Sequence, residues 1–159
     1  TERRKEEFKE KTELLVETLD VEDVIAQLLV TEGYVSVESI ANEKSENLEK
    51  IEGFDSSLSQ EIIMRATNNI KEQNEEDLKI IDKKISDNEL KNLEGMNVKM
   101  LSLLALNDIC TLDDFADLAT YDLIDKEEGI FKELEIDEKI INSMIMKARE
   151  KWFKEEKQN

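Results

Sequence analysis

Histidine is absent from the 159 residues. No Ser-His or Cys-His pair can therefore form, which removes the commonest routes to an activated nucleophile. Proline is absent too, and glycine occurs only four times. Aromatics make up 5% of the chain, while Leu, Ile, Glu and Lys are plentiful, a composition that predicts an all-α protein. The single cysteine, Cys110, permits no internal disulfide and fits a reducing compartment. It sits between Ile109 and Leu112 and reads as a small core residue. No apolar run approaches the roughly 20 residues that cross a bilayer, and the charged start has no h-region of a signal peptide. The first residue is not Met, and the chain reads as part of something longer, located in the cytoplasm. No Walker-type loop, dinucleotide fingerprint, zinc spacing or EF-hand loop occurs, so no catalytic residue, metal or cofactor is expected.

Basic residues are the other scarcity. Lys and Arg number 22 against 40 Asp and Glu, a net charge of −18. The excess is uneven. Residues 1–18 carry 6 acids and 5 bases, and residues 19–72 carry 12 and 4. Residues 73–86 carry 4 and 3, and residues 87–159 carry 18 and 10. Two blocks of net −8 are thus separated by a near-neutral connector. Such blocks repel nucleic acid and anionic membranes and are complementary to basic protein surfaces.

What is present is a duplicated helical pattern. Ile51-Glu52-Gly53-Phe54-Asp55 predicts a tight turn joining two short helices, with Gly53 at positive φ. The phrase recurs at Leu93-Glu94-Gly95-Met96-Asn97, with Gly95 in the same role. In the first block Asp20 is an N-cap candidate for a helix whose stripe is Val21, Val24, Ile25, Leu28 and Leu29. Gly33 is its C-cap candidate. Ser36 and Ser45 cap two short helices, and Ser57 opens a capping box before a last helix with Leu58, Ile62, Ile63, Ala66 and Ile70. Ser86 begins a similar box at the start of the second block. Residues 28–37 align with 103–112 at an offset of 75, Leu28 matching Leu103. Met64-Arg65-Ala66 aligns with Met146-Lys147-Ala148 at 82, so the second block holds a seven-residue insertion around 126–131. Gly53 falls on Glu135; that last turn is either looser or supported by Gly129. Asp55 and Asp137 read as N-caps after the turns.

The organisation expected is an N-terminal linker helix over 1–18, one acidic repeat of about five short helices over 19–72, a partly helical linker over 73–86, and a second repeat over 87–159. Two helix-turn-helix units per repeat resemble tandem helix-hairpin-helix domains. DNA-binding members hold phosphate on the turn amides with Lys or Arg nearby. Here Gly53 is followed by Phe54, Asp55, Ser56 and Ser57, and Gly95 by Met96, Asn97, Val98 and Lys99. One lysine does not offset a net −8. Met64, Met144 and Met146 read as core. Trp152 and Phe153, ending the last helix, read as a hydrophobic cover on the second repeat or as a partner hot spot.

The ordered set over both repeats resembles the acidic C-terminal repeats of the NusA family of bacterial transcription factors. Leu19-Asp20-Val21-Glu22, Gln27–Tyr34 and Ile51–Asp55 look like the first repeat. Thr111–Ala119, Lys126–Ile130, Ile145–Arg149 and Trp152-Phe153 look like the second, with an insertion of the alphaproteobacterial form. Residues 2–18 look like the exit from a preceding RNA-binding domain. The resemblance implies a non-catalytic, monomeric protein-binding module acting in transcription pausing, termination and antitermination. It implies docking on the C-terminal domain of the RNA polymerase α subunit, mainly through the second repeat, and use of the first by a phage antitermination protein. It also implies cover of the factor's own S1 and KH RNA-binding domains. Asp113, Asp114, Asp117 and Asp122 are the candidate partner-binding residues. The rival readings are a helix-hairpin-helix nucleic-acid binder, which would need basic turns, and a purely structural spacer.

Overall fold

The computed structural model describes residues 1–158, with side-chain surroundings through residue 154. Among the described residues there are ten α-helices, one 3-10 turn and no strand. The fold is all-α. The chain divides into two compact units, Thr1–Gln73 and Asn74–Asn159, each with its own core.

The first unit begins with α1 (Glu2–Leu19). Its N-terminal turns are solvated, but Leu15 and Leu19 are fully buried, so the expected linker helix contributes its C-terminal end to the core. Then come α2 (Asp23–Thr31), α3 (Val37–Ala41), α4 (Ser45–Leu48) and α5 (Ser56–Lys84). Asp20 does not cap α2: it ends α1 in the left-handed conformation, φ 52°, and Glu22 precedes α2. Val21, Ile25 and Leu28 of the expected stripe pack against the core. Ala26, Leu29 and Val30 enter the core, and Val24 is 63% exposed. Gly33, φ 94°, completes a Schellman ending: its N–H donates to the Val30 carbonyl at 3.0 Å and the Tyr34 N–H to that of Leu29 at 2.9 Å. Ser36 caps α3 through the Ser39 N–H. Gly53, φ 89°, makes the turn before α5. Asp55, not Ser57, caps that helix, accepting from the Leu58 N–H at 2.7 Å.

At 29 residues, α5 is not short. The polar stretch expected to be a connector lies within it as far as Lys84, because Lys, Glu and Gln are sound helix formers. Ile81 near its end and Ile85 just past it are buried in the core of the second unit.

The second unit continues through α6 (Asn88–Lys91), α7 (Val98–Leu106), α8 (Leu112–Ala116), α9 (Thr120–Ile124), the 3-10 turn Lys132–Leu134 and α10 (Glu138–Gln158). Asp87 rather than Ser86 caps α6, accepting from the Glu89 N–H at 2.9 Å. Its other carboxylate oxygen accepts from the Leu112 N–H at 2.8 Å and so fixes the start of α8. The core repeats that of the first unit position by position: Leu29 and Leu104, Ile40 and Phe115, Leu48 and Leu123, Ala66 and Ala148 are all fully buried pairs. Larger Phe115 and the added Phe131 accompany the insertion. The insertion folds back on α9, where the Ile130 and Phe131 N–H groups donate to the Asp122 and Leu123 carbonyls at 3.0 and 2.8 Å. Gly129 makes this possible by size alone: a Cβ there would lie 2.5 Å from the Leu123 oxygen and 2.6 Å from Asp125 backbone atoms.

The turns follow one rule across both units. Six residues have positive φ among the described residues: Asp20, Gly33, Gly53, Gly95, Asp108 and Glu135. In the offsets of the duplication they form three pairs, Asp20 with Gly95, Gly33 with Asp108, and Gly53 with Glu135. Each pair holds one glycine and one acidic residue. The resemblance of the Gly53 and Gly95 phrases therefore does not make them equivalent; Gly95 corresponds to Asp20. Nor is the last turn of the second unit looser, since Glu135 adopts φ 49° itself. Asp108 likewise sits in a Schellman ending equal to that of Gly33, with Asp108 donating to Ala105 at 3.0 Å and Ile109 to Leu104 at 2.8 Å.

Candidate functional site

The acids singled out in the second unit lie on two short helices. The hydroxyl of Thr111 accepts from the Asp114 N–H at 3.0 Å and starts α8. Leu112, Phe115 and Ala116 are buried, which leaves Asp113, Asp114 and the capping residue Asp117 exposed. Asp113 and Asp117, four residues apart, share a face. The carboxylate of Asp113 accepts from the indole N–H of half-buried Trp152 at 3.0 Å. Arg149, one turn earlier on α10, donates to the carbonyls of Ala116 at 2.8 Å and Leu118 at 3.2 Å. Those carbonyls are at the end of α8, where intrahelical partners are lacking. Trp152 thus packs on the second core while its polar edge meets an acid, an arrangement the sequence left open.

Asp122 is not part of that face. It lies on α9 and its Oδ2 accepts from the Ala119 N–H at 2.9 Å, closing the start of its own helix. Asp113, Asp114 and Asp117 thus belong to α8 and its cap, whereas Asp122 belongs to α9.

The hairpin turns hold little that would attract phosphate. Lys99, the one cation within four residues after Gly53 or Gly95, is 3.6 Å from the carboxylate of Asp77. Asp77 is buried on α5 and also accepts from the Ser102 hydroxyl at 2.9 Å. Around Gly53 the nearby charges are Glu49, Glu52 and Asp55 with a single cation, Lys50. Gly95 carries a packing role beyond its φ of 94°: a Cβ there would stand 3.1 Å from the Cγ and Sδ of Met144. Of the three methionines expected in cores, Met144 is buried, whereas Met64 and Met146 occupy equivalent, half-exposed positions on α5 and α10. Cys110 is half-buried against the second core.

One carboxylate in this region has a displaced titration. Asp87 is held below the usual carboxylate range, chiefly by the hydrogen bond from the Leu112 N–H, with those from α6 adding to it. No cluster of three or more metal-binding side chains occurs among the described residues. No helix there is long and apolar enough to cross a membrane.

Comparison with known proteins agrees with this architecture. Residues 13–68 match the family described as SAM-like helix-hairpin-helix tandem. That match lies within the first unit, which is thus similar to the tandem helix-hairpin-helix class. The particular likeness is to NusA. The chain is 37% identical over 117 residues to the transcription termination/antitermination protein NusA of Rickettsia prowazekii, and to the same degree to that of Rickettsia conorii. The match takes in 74% of this chain and 23% of each relative, so the chain spans about a quarter of the length of the curated relatives it matches. No solved structure matches significantly.

Proposed function

We propose that this chain is a non-catalytic protein-interaction module of a cytoplasmic transcription elongation, termination and antitermination factor. It docks on RNA polymerase through the C-terminal domain of the α subunit, mainly by its second unit. The observation that carries the reading is the α8 face. Three exposed carboxylates stand within two turns on a helix fixed at both ends, while the nearest turn lysine is engaged by Asp77. Such a face attracts a basic protein surface and repels phosphate. The same negative potential suits the acidic units to cover the factor's own S1 and KH domains, in competition with RNA. The first unit, of similar charge, is the one available to a phage antitermination protein.

The test is calorimetric titration of the chain with the isolated α C-terminal domain. Reversal of Asp113, Asp114 and Asp117 to Lys should weaken binding about tenfold or more, since close charge pairs at interfaces carry kilocalories each. Helicity by circular dichroism should be kept. Added salt should weaken the wild-type complex. Unchanged affinity in the reversed variant removes the assignment, and tight capture of an oligonucleotide at physiological ionic strength would favour the nucleic-acid reading.

A further inference from the structure

The two units share a frame, yet among the described residues only the second joins its last helix to its acidic short helix by side-chain hydrogen bonds. Arg149 closes the C-terminal end of α8 and Trp152 holds Asp113 near its beginning. At the equivalent positions of the first unit stand Thr67 and Ile70. Ile70 has no side-chain donor. The short hydroxyl side chain of Thr67 is exposed, and it lacks both the reach and the forked donors of a guanidinium. The short helix itself differs, with Glu38, Ser39 and Asn42 where the second unit has Asp113, Asp114 and Asp117. Acid cluster and clamp occur together in one unit and are missing together from the other.

We propose that Arg149 and Trp152 are positioning residues, which fix the α8 acids in one orientation for a cationic protein surface and so make the second unit the docking unit. This deepens the docking reading above and rests on it. The physical reason is preorganisation. A free aspartate loses rotamer freedom when a partner engages it. Asp113 has one carboxylate oxygen already occupied by the indole and the other free, so that cost is met before the partner arrives. Arg149, by bonding the carbonyls that follow Phe115, keeps the last turn of α8 from fraying and holds Asp117 in register with Asp113.

The test uses the whole chain and a double-mutant cycle. Trp152→Phe keeps an aromatic ring on the core and removes the donor; Asp113→Ala removes the acceptor. With the isolated α C-terminal domain as probe, Trp152→Phe should weaken binding roughly three- to tenfold when Asp113 is present, the range for losing one ordinary net hydrogen bond. In the Asp113→Ala background the same change should cost less than about twofold, because nothing is left to position. An equal loss in both backgrounds, or none in either, overturns the proposal. The contact is also read without partner: the indole N–H resonance of this sole tryptophan should move on Asp113→Ala, and a stationary peak overturns the proposal as well. If the wild-type chain fails to bind while the resonance moves, the docking reading falls and takes the proposal with it. If the chain binds and only the cycle fails, the docking reading stands alone.

Discussion

The guanidinium of Arg65 donates to the main-chain carbonyl of Asp20 at 2.6 Å, and to that of Leu19 at 3.2 Å. It thereby anchors the left-handed end of α1 to the last helix of the first unit. The equivalent residue of the second unit, Lys147, pairs with Glu94, which occupies the place of Leu19 beside Gly95. A cation on the last helix thus secures the first left-handed turn of each unit. The chemistry changes from carbonyl to carboxylate as the turn residue changes from Asp to Gly.

That turn inventory gives the first prediction. An L-residue in the left-handed region is penalised by about 1 kcal/mol or more, less for Asp than for Glu. Glu135→Gly and Asp108→Gly should each stabilise the second unit by roughly 0.5–1 kcal/mol after the entropy glycine loses on folding, read as a higher urea midpoint. The reverse changes, Gly33→Ala and Gly53→Ala, should lower stability by about 1–2 kcal/mol. Gly95→Ala should cost more than either, since its Cβ also presses on Met144. Effects of the same sign at all five positions would contradict the pairing.

Asp87 should make stability depend on pH. Its folded pKa lies below the unfolded one. Its contribution is therefore fully present above the usual carboxylate range and is lost as pH falls through the folded value. Asp87→Asn should destabilise the second unit at neutral pH, and the difference from wild type should shrink steadily below about pH 4. Denaturant melts at several pH values check this; a gap that grows on acidification would reverse the sign.

Asp77 should behave as a buried group whose partners depend on it. Asp77→Ala leaves the buried Ser102 hydroxyl without its partner, at a cost of about 1–3 kcal/mol. Lys99→Met, which removes a half-exposed partner 3.6 Å away, should cost well under that. Comparable losses from both substitutions would place the weight on the ion pair instead.

Ser59 should be dispensable. It is fully buried on α5 and its hydroxyl has no hydrogen-bond partner among the described residues. The second unit has Ile141 at the equivalent place, also fully buried. Ser59→Ala should be neutral or stabilising by up to about 1 kcal/mol in thermal or urea unfolding. A marked loss would mean that the hydroxyl is bonded in solution.

The duplication was open to reading because it is written in spacing. Leu28 against Leu103 and Met64 against Met146 fix the offsets, and the offsets alone place Glu135 opposite Gly53. Gly33 and Asp55 were legible as well, since glycine at a helix end and aspartate before one each have a local cause. Asp20 was not, because aspartate suits both an N-cap and a left-handed C-cap. The choice fell to Arg65, a residue 45 positions away that bonds its carbonyl. Of the expected stripe, Val21, Ile25, Leu28 and Leu29 pack on the first core, whereas Val24 faces outward and Ala26 and Val30 join the core instead. Ser57 and Ser86 were passed over for neighbouring aspartates, whose ionised oxygens are the stronger acceptors.

Composition and periodicity were enough to make this chain helical, duplicated and acidic, since each of those properties resides in residue type and spacing. Which acids stand on a common face was settled by packing. Asp113 and Asp117 meet on α8 while Asp122 turns to cap α9, and the clamp on α8 comes from Arg149 and Trp152, more than 30 residues further along. Contacts of that range depend on how helices seat against one another, and no local rule of sequence encodes it.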